Sequence, residues 1–155
     1  MKIQVTQENL SKAISAVARV AVSARNPLPI LNNILLRTDA NRLTISATNL
    51  EIAITEHVGA KVTHEGAITL PAKLLQEFIS SLPSGPIDIE TKEHKCTISS
   101  GNYTSVINGM LADEFPVIPK IDKGTSISMP AKELKKALQQ VVVAASTDET
   151  RPVLT

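Results

Sequence analysis

The pattern of apolar and polar residues at positions 3–17 occurs again at positions 68–82 and 127–141. Each copy begins with a short alternation of apolar and polar residues and continues with a helix-start signal. Apolar residues then follow at positions i, i+4 and i+7. Alternation is typical of a half-buried strand, whereas the wider spacing is typical of an amphipathic helix. The pattern therefore predicts three strands, each leading directly into a helix.

The first predicted helix begins after Thr6, a residue type that caps helix N-termini. Its apolar stripe consists of Leu10, Ile14, Val17 and Ala21. Lys12, Arg19 and Ser23 fall within about 40° of one another on a different face, at about 100° per residue. Such a face is typical of a solvated helix surface.

Short alternating runs follow each of the first two helices. The later helices are expected to start at Pro71 and Pro130, because proline is tolerated in the first helical turn. The alternating runs lie at 34–38, 43–48, 52–57, 87–89, 96–98 and 103–107. Together they predict an α+β fold of two pseudo-symmetric β-α-β-β-β units, with two helices on one face of an antiparallel sheet. Residues 61–66 are expected to be a linker between the units.

The repeated pattern also predicts the domain organisation. Residues 1–120 form one domain with two internal repeats, at about 1–60 and 66–120. Residues 121–125 form a linker, and residues 126–155 form the start of a second domain. Because the sequence stops soon after the third helix, we expect it to be the N-terminal part of a longer protein.

The composition is that of a globular domain, with 43% apolar residues, 20% charged residues and a formal net charge of +1. This charge does not indicate an overall basic nucleic-acid binder or a membrane-surface protein. The N-terminus lacks the apolar run of a signal peptide, and no run approaches the roughly 20 residues of a membrane span. The sequence therefore predicts a soluble, cytoplasmic protein. Only 2% of the residues are aromatic, which argues against modules that stack bases on aromatic rings.

The histidines and the single cysteine do not form a recognisable catalytic or metal site. His57, His64 and His94 fall in separate predicted strands or turns, without the spacing of metal ligands. Cys96 alternates with Ile98, as a small core residue would. We therefore expect no metal and no cofactor.

The acidic residues give no better candidate for catalysis. Asp113 and Glu114 lie in a loop without a partner histidine. Glu51 is expected to cap the backbone of a turn. The sequence therefore predicts a protein that is not an enzyme.

Several short motifs follow one another in a specific order. They are the opening Met-Lys-Ile strand, Leu28-Pro-Ile-Leu31, Ala47-Thr-Asn-Leu-Glu51, Leu70-Pro-Ala-Lys73 with Leu82-Pro-Ser-Gly85, and Gly109-Met-Leu-Ala-Asp-Glu-Phe-Pro116. On these motifs all 155 residues resemble the first two-fifths of the bacterial DNA polymerase III beta subunit, the sliding clamp family. The family usually has Asp where this chain has Asn49.

The resemblance implies a DNA-clamp (processivity) fold. Subunits of three similar domains would close head to tail into a homodimeric ring around double-stranded DNA, with helices lining the hole and sheets forming the outer wall. Such a ring binds DNA without sequence preference during DNA replication and strand elongation. Its implied partners are the DNA polymerase III core and the clamp loader. The resemblance implies neither a catalytic role nor a membrane.

The resemblance also implies roles for individual residues. The positive charges that would face DNA are Lys12, Arg19, Arg25, Lys73, Lys132, Lys135 and Lys136, with acidic residues gathered on the outer sheet. The strand at 103–107 matches the dimer-forming edge, with Ser105 and Ile107 at the interface, although a large apolar residue is common in place of Ser105. Leu154 matches a leucine of the pocket that receives partner peptides, or is instead a core residue of the second domain.

Two alternatives stay open at this point. One is a small α+β enzyme or ligand-binding domain, with a polar cleft near His57, His64 or Cys96. The other is a short clamp-like protein that binds the replication machinery without encircling DNA.

Overall fold

The computed structural model describes residues 1–22, 28–119, 124–146 and 153. The chain divides into two compact units, Met1–Ile118 and Pro119–Thr155. The strands of the first unit are β1 (Lys2–Thr6), β2 (Asn33–Asp39), β3 (Arg42–Thr48), β4 (Ala53–Gly59), β5 (Lys61–His64), β6 (Ala67–Pro71), β7 (Pro86–Lys92), β8 (Lys95–Ser100) and β9 (Tyr103–Asn108). Its α-helices are α1 (Gln7–Val22) and α2 (Ala72–Ser81), and the second unit contains α3 (Ala131–Val141).

The strands of the first unit form two antiparallel sheets. Five strands lie in the order β5-β1-β7-β8-β9, and four lie in the order β4-β3-β2-β6. The three strands that follow each helix, β2 to β4 and β7 to β9, pair with their sequence neighbours in the same order. The strand that precedes each helix crosses over, so β1 pairs with β7 and β6 pairs with β2. The predicted α+β architecture is confirmed, with its strands divided between two sheets.

Both helices of the first unit are fixed by apolar contacts. Helices α1 and α2 pack against each other and share one core with both sheets. The predicted stripe of α1 is buried, with exposures of 0–1% at Leu10, Ile14, Val17 and Ala21. Burial of each of the three larger side chains, Leu10, Ile14 and Val17, contributes about 1.5–3 kcal/mol, which orients the polar face of α1 toward solvent. No helix in the described parts of the chain is long and apolar enough to cross a membrane.

The prediction of a linker at residues 61–66 is wrong. Lys61–His64 form β5, which pairs with β1 and places Val62 opposite Ile3. This short run contains one apolar residue, so its own pattern is a weak strand signal. It becomes a strand because the edge of β1 offers unpaired backbone groups, a tertiary effect that overrides local propensity.

The strand predicted at the start of the third copy is also absent. Residues 125–130 lead into α3 without forming a strand. A strand needs a neighbouring backbone for its hydrogen bonds, and the described residues of the second unit offer no other strand. The helix signal is local, so α3 forms where it was predicted.

Asn49, rather than Glu51, caps the turn between β3 and β4. The Asn49 Oδ1 atom accepts hydrogen bonds from the N–H groups of Glu51 (3.1 Å) and Ile52 (2.8 Å). The Thr48 hydroxyl accepts another from the N–H of Leu50 at 3.0 Å. An aspartate could accept the same bonds, so Asn49 is a chemically conservative departure from the resembled family.

The segment after β9 crosses to the four-stranded sheet. Met110 forms an isolated antiparallel bridge with Thr69 of β6. Phe115 is buried against Ile30 and Leu31 in a second, smaller core. Leu111, the next apolar residue of this segment, is 48% exposed. Met110 and Phe115 therefore hold this segment.

Candidate nucleic-acid interface

Helix α1 carries two basic side chains on its solvent face. Lys12 and Arg19 are both exposed. Seven residues of helix separate them by about 10.5 Å along the axis. Because seven residues are nearly two full turns, the two side chains leave the helix in nearly the same direction.

These two residues border a groove of about 530 Å³ between α1 and β4. The other lining residues are Ser11, Ser15, Ala16 and Ile54. Lysine, arginine and serine side chains are common donors to nucleic-acid phosphates. The groove is therefore suited to an extended anionic backbone.

The basic residues of α1 differ from two lysines of the five-stranded sheet in their partners. In the sheet, Lys2 Nζ lies 3.4 Å from Glu90 Oε2, and Lys92 Nζ lies 3.3 Å from Glu90 Oε1. Hydrogen bonds from Lys92 and then Lys2 hold the pKa of Glu90 below its ordinary value. Lys12 and Arg19 have no carboxylate within 4.0 Å among the described residues. Their charge is therefore available to an external anion.

Lys73 belongs to the same layer of helices. It is exposed in the first turn of α2, and α2 packs beside α1. The partial positive charge of the helix N-terminus adds to that of the lysine. The DNA-binding roles of Lys12, Arg19 and Lys73 stay predictions.

In the second unit, α3 exposes the basic residues Lys132, Lys135 and Lys136. Its apolar residues are exposed as well, with exposures of 43% at Leu134 and 50% at Leu138. The corresponding apolar positions of α1 and α2 are buried. Among the described residues of the second unit, therefore, nothing covers the apolar face of α3, and the DNA-binding roles of its lysines stay predictions.

The expectation that acidic residues gather on the sheets is wrong. The basic residues of the strands are Lys2, Arg37, Arg42, Lys61, Lys92 and Lys95, and the acidic residues are Asp39, Glu56, Asp88 and Glu90. The sign of the charge therefore does not separate the sheets from the helices. Three further acidic residues, Glu51, Glu65 and Glu93, lie between strands and are exposed.

The strand predicted to form a dimer, β9, lies at an edge of the five-stranded sheet. No described strand pairs with its outer side, so the backbone groups on that side are open to pairing. Ser105 is partly exposed, but Ile107 is 2% exposed and packs in the core of its own unit. The large apolar residues exposed on β9 are Tyr103 (58%) and Val106 (57%). Neither residue was predicted to lie at the interface from the sequence, although the alternation of Val106 with Ile107 indicates an outward position for Val106.

The residues considered for catalysis lie apart. His57 shares a 3.1 Å hydrogen bond with the hydroxyl of Thr44, and His64 and His94 are exposed elsewhere. Burial raises the pKa of the Cys96 thiol to about 12. A thiol that stays protonated at neutral pH is a poor nucleophile. Among the described residues, no group of three or more His, Cys, Asp or Glu could hold a metal ion.

Two predicted site residues lie outside the described part of the chain. They are Arg25, predicted to approach DNA just after α1, and Leu154, predicted to line a partner-peptide pocket. Both roles stay predictions.

A family model described as the DNA polymerase III beta subunit, N-terminal domain, matches residues 1–119. The beta sliding clamp of Synechocystis sp. is 39% identical over 164 residues, which cover 100% of this chain and 42% of the relative. The beta sliding clamp of Bacillus subtilis is 32% identical over 164 residues, which cover 100% of this chain and 43% of the relative. The chain thus spans about two-fifths of the length of these relatives.

Solved structures show the same similarity. The DNA polymerase sliding clamp from Bacillus subtilis superposes with a TM-score of 0.91 at 29% identity, over 100% of this chain and 43% of that one. The DNA polymerase III beta subunit from Thermotoga maritima superposes with a TM-score of 0.87 at 27% identity, over 96% of this chain and 41% of that one.

Proposed function

Because the chain belongs to the DNA polymerase III beta subunit family, we propose that it forms the first domain and the start of the second domain of a DNA sliding clamp. Such a clamp encircles double-stranded DNA and tethers the replicative polymerase. The observation that carries the proposal is the pair of exposed cations Lys12 and Arg19, on one face of α1 in a clamp fold, which have no ion-pair partner among the described residues.

Sparse positive charge suits a ring that slides. The ring stays on DNA by topology, so tight binding is unnecessary and would slow it. Each neutralised phosphate adds about −0.9 to the slope of log affinity against log salt, so two cations give a slope of about −2. Contacts with phosphate carry no sequence information, whereas contacts with base edges would halt the ring at preferred sites.

Ring closure and partners belong to the same proposal. The unpaired backbone of β9, with Ser105 and Ile107 on the strand, would join a second subunit head to tail by strand addition. Tyr103 and Val106 add exposed apolar surface there. The clamp loader and the DNA polymerase III core are the proposed partners. The proposed clamp acts in the cytoplasm and has no catalytic site of its own.

The proposal is tested with a chimera in which this chain replaces the corresponding N-terminal part of the Bacillus subtilis clamp. Loaded with the Bacillus subtilis clamp loader and ATP onto nicked circular DNA, the chimera should stay bound. Linearising the circle should release it within the time that a ring needs to slide off the ends. Release at the same rate from circular and linear DNA would contradict encirclement.

A second set of variants tests the assigned residues. Lys12→Ala with Arg19→Ala should weaken DNA binding by the chimera and reduce the salt slope by up to about 2. Lys95→Ala is the matched control, because Lys95 is exposed on β8 beside the buried Cys96 and so lies on the face away from the helices. If the double variant behaves like the control, those two residues do not face DNA.

The small side chain of Ser105 favours one second candidate, a clamp-like protein that binds the replication machinery without closing a ring. Less apolar surface at the β9 edge would weaken subunit contacts. Analytical ultracentrifugation of the chimera separates the two functions. A dimer supports the ring, whereas a folded monomer that still binds the polymerase supports the second candidate.

A further inference from the structure

Glu56 lies on the helix-facing side of β4. Ile54 and Val58, two residues before and after it, pack against the hydrophobic core. His57 points to the opposite face, where it shares a hydrogen bond with Thr44. Because side chains alternate along a strand, Glu56 shares the face of Ile54 and Val58. It stays exposed because β4 is the edge strand of its sheet.

Glu56 and Lys12 line one cleft of about 290 Å³ between β4 and α1. The ion pairs found among the described residues do not include either of them, so they are neighbours across the cleft rather than a bonded pair. Lys12 also borders the groove that it shares with Arg19. The carboxylate of Glu56 is thus placed beside one of the two α1 cations assigned to DNA.

We propose that Glu56 sets how strongly this clamp grips DNA, by offsetting part of the positive charge of Lys12 and repelling the approaching phosphate. This inference rests on the proposed function of the α1 face. Lys12 can still approach a phosphate, because it forms no ion pair with any residue in the described part of the chain. Both charges line the same solvent-exposed cleft, and exposed charges are largely screened from each other only beyond about 8 Å at physiological salt. Their interaction at high dielectric is modest, which corresponds to roughly a twofold to threefold change in DNA affinity.

The test uses the full 155-residue chain and a labelled duplex of about 20 base pairs. Fluorescence anisotropy gives the affinity between about 50 and 200 mM salt, where non-specific binding changes most clearly. Glu56→Gln should bind roughly twofold to threefold tighter than the unmodified chain, and Glu56→Ala should show the same gain. At least half of this gain should disappear in the Lys12→Ala background.

Glu93→Gln is the matched control. It removes the same charge from the exposed turn between β7 and β8, in the other sheet, and should leave the affinity unchanged. The Glu56→Gln and Glu93→Gln variants should have the same melting temperature as the unmodified chain, because both positions are exposed.

The outcomes separate the two hypotheses. If Lys12→Ala weakens binding but both Glu56 variants bind like Glu93→Gln, the role of Glu56 is refuted and the DNA-facing role of α1 stands. If Lys12→Ala has no effect on binding, the DNA-facing role fails, and the role of Glu56 fails with it. An equal gain in the Lys12→Ala background would show a general charge effect and refute the coupling.

Discussion

Replacing Gly109 with alanine should break the attachment between the crossing segment and the four-stranded sheet. A Cβ atom at Gly109 would collide with the carbonyl oxygen of Thr69 and would lie 2.9 Å from Cγ1 and Cδ1 of Ile68. The Thr69 oxygen is backbone in a buried strand, so it cannot move aside without disturbing β6. The segment must therefore retreat from the sheet.

The cost follows from the bonds that this retreat stretches. The N–H of Thr69 donates to the Met110 oxygen at 3.1 Å, and the N–H of Met110 donates to the Thr69 oxygen at 3.0 Å. Each such bond contributes about 0.5–1.5 kcal/mol, and leaving a buried donor unsatisfied costs about 1–3 kcal/mol. Thr69 is fully buried, so water does not easily replace its partner. The expected loss is about 2–4 kcal/mol, or a melting temperature lower by roughly 6–16 °C.

Urea and thermal unfolding of the 155-residue chain, followed by circular dichroism, measure this loss. Hydrogen exchange should locate it, with faster exchange at the amides of Thr69 and Met110. Gly59→Ala is the matched control, because a Cβ atom at Gly59 meets nothing within 4 Å; its expected change is within about 0.5 kcal/mol. If the two variants have equal stability, the close approach of Gly109 to β6 does not hold this segment in place.

Two further predictions concern pH. Cys96 has a pKa of about 12 in the folded state and about 8.5 when unfolded, so its contribution to stability should be lost as the pH rises from about 8.5 to 12. The Cys96→Ala variant should not show this loss of stability. The native thiol should react with a disulfide reagent only as fast as the protein opens. The pKa of Glu90 is lowered from 4.5, so its ion pairs contribute stability above that pH, and the contribution is lost as the pH falls through the lowered value. The melting temperatures of the unmodified chain and Glu90→Gln should therefore differ at neutral pH and converge in acid; a constant difference would contradict the role of Lys2 and Lys92.

The helices could be predicted from the sequence because their determinants lie within a few residues. Thr6 and Pro71 immediately precede α1 and α2, and the apolar stripe of α1 is buried as its period indicates. Even α3 forms without a strand before it. Exposure of Lys12 and Arg19 follows from the same period, because residues opposite a buried stripe must face solvent.

The arrangement of the sheets could not be predicted in this way. Alternation shows that a run has two faces, but it does not show which strands become neighbours or edges. The run at 61–64 becomes a strand through β1, and Glu56 is exposed because β4 lies at an edge. The geometry of the turn after β3 could not be predicted from the pattern either. Leu50 has a φ of 76°, and this backbone conformation, rather than charge, places the Asn49 side chain next to the N–H groups that follow it.

The strands that precede the two helices, β1 and β6, each pair with a strand of the other half. This pairing explains why a strand–helix pattern that occurs twice produces one layer of helices. Helix α1 connects β1 of the five-stranded sheet to β2 of the four-stranded sheet, and α2 connects β6 to β7 in the opposite sense. The two helices therefore meet over one core that they share with both sheets. Because β1 and β6 each pair with strands of the other half, neither half can complete a sheet from its own strands alone. The pair of helices that carries Lys12 and Lys73 is thus positioned by the pairing between halves, and it is held by the same core that buries the apolar residues of both helices.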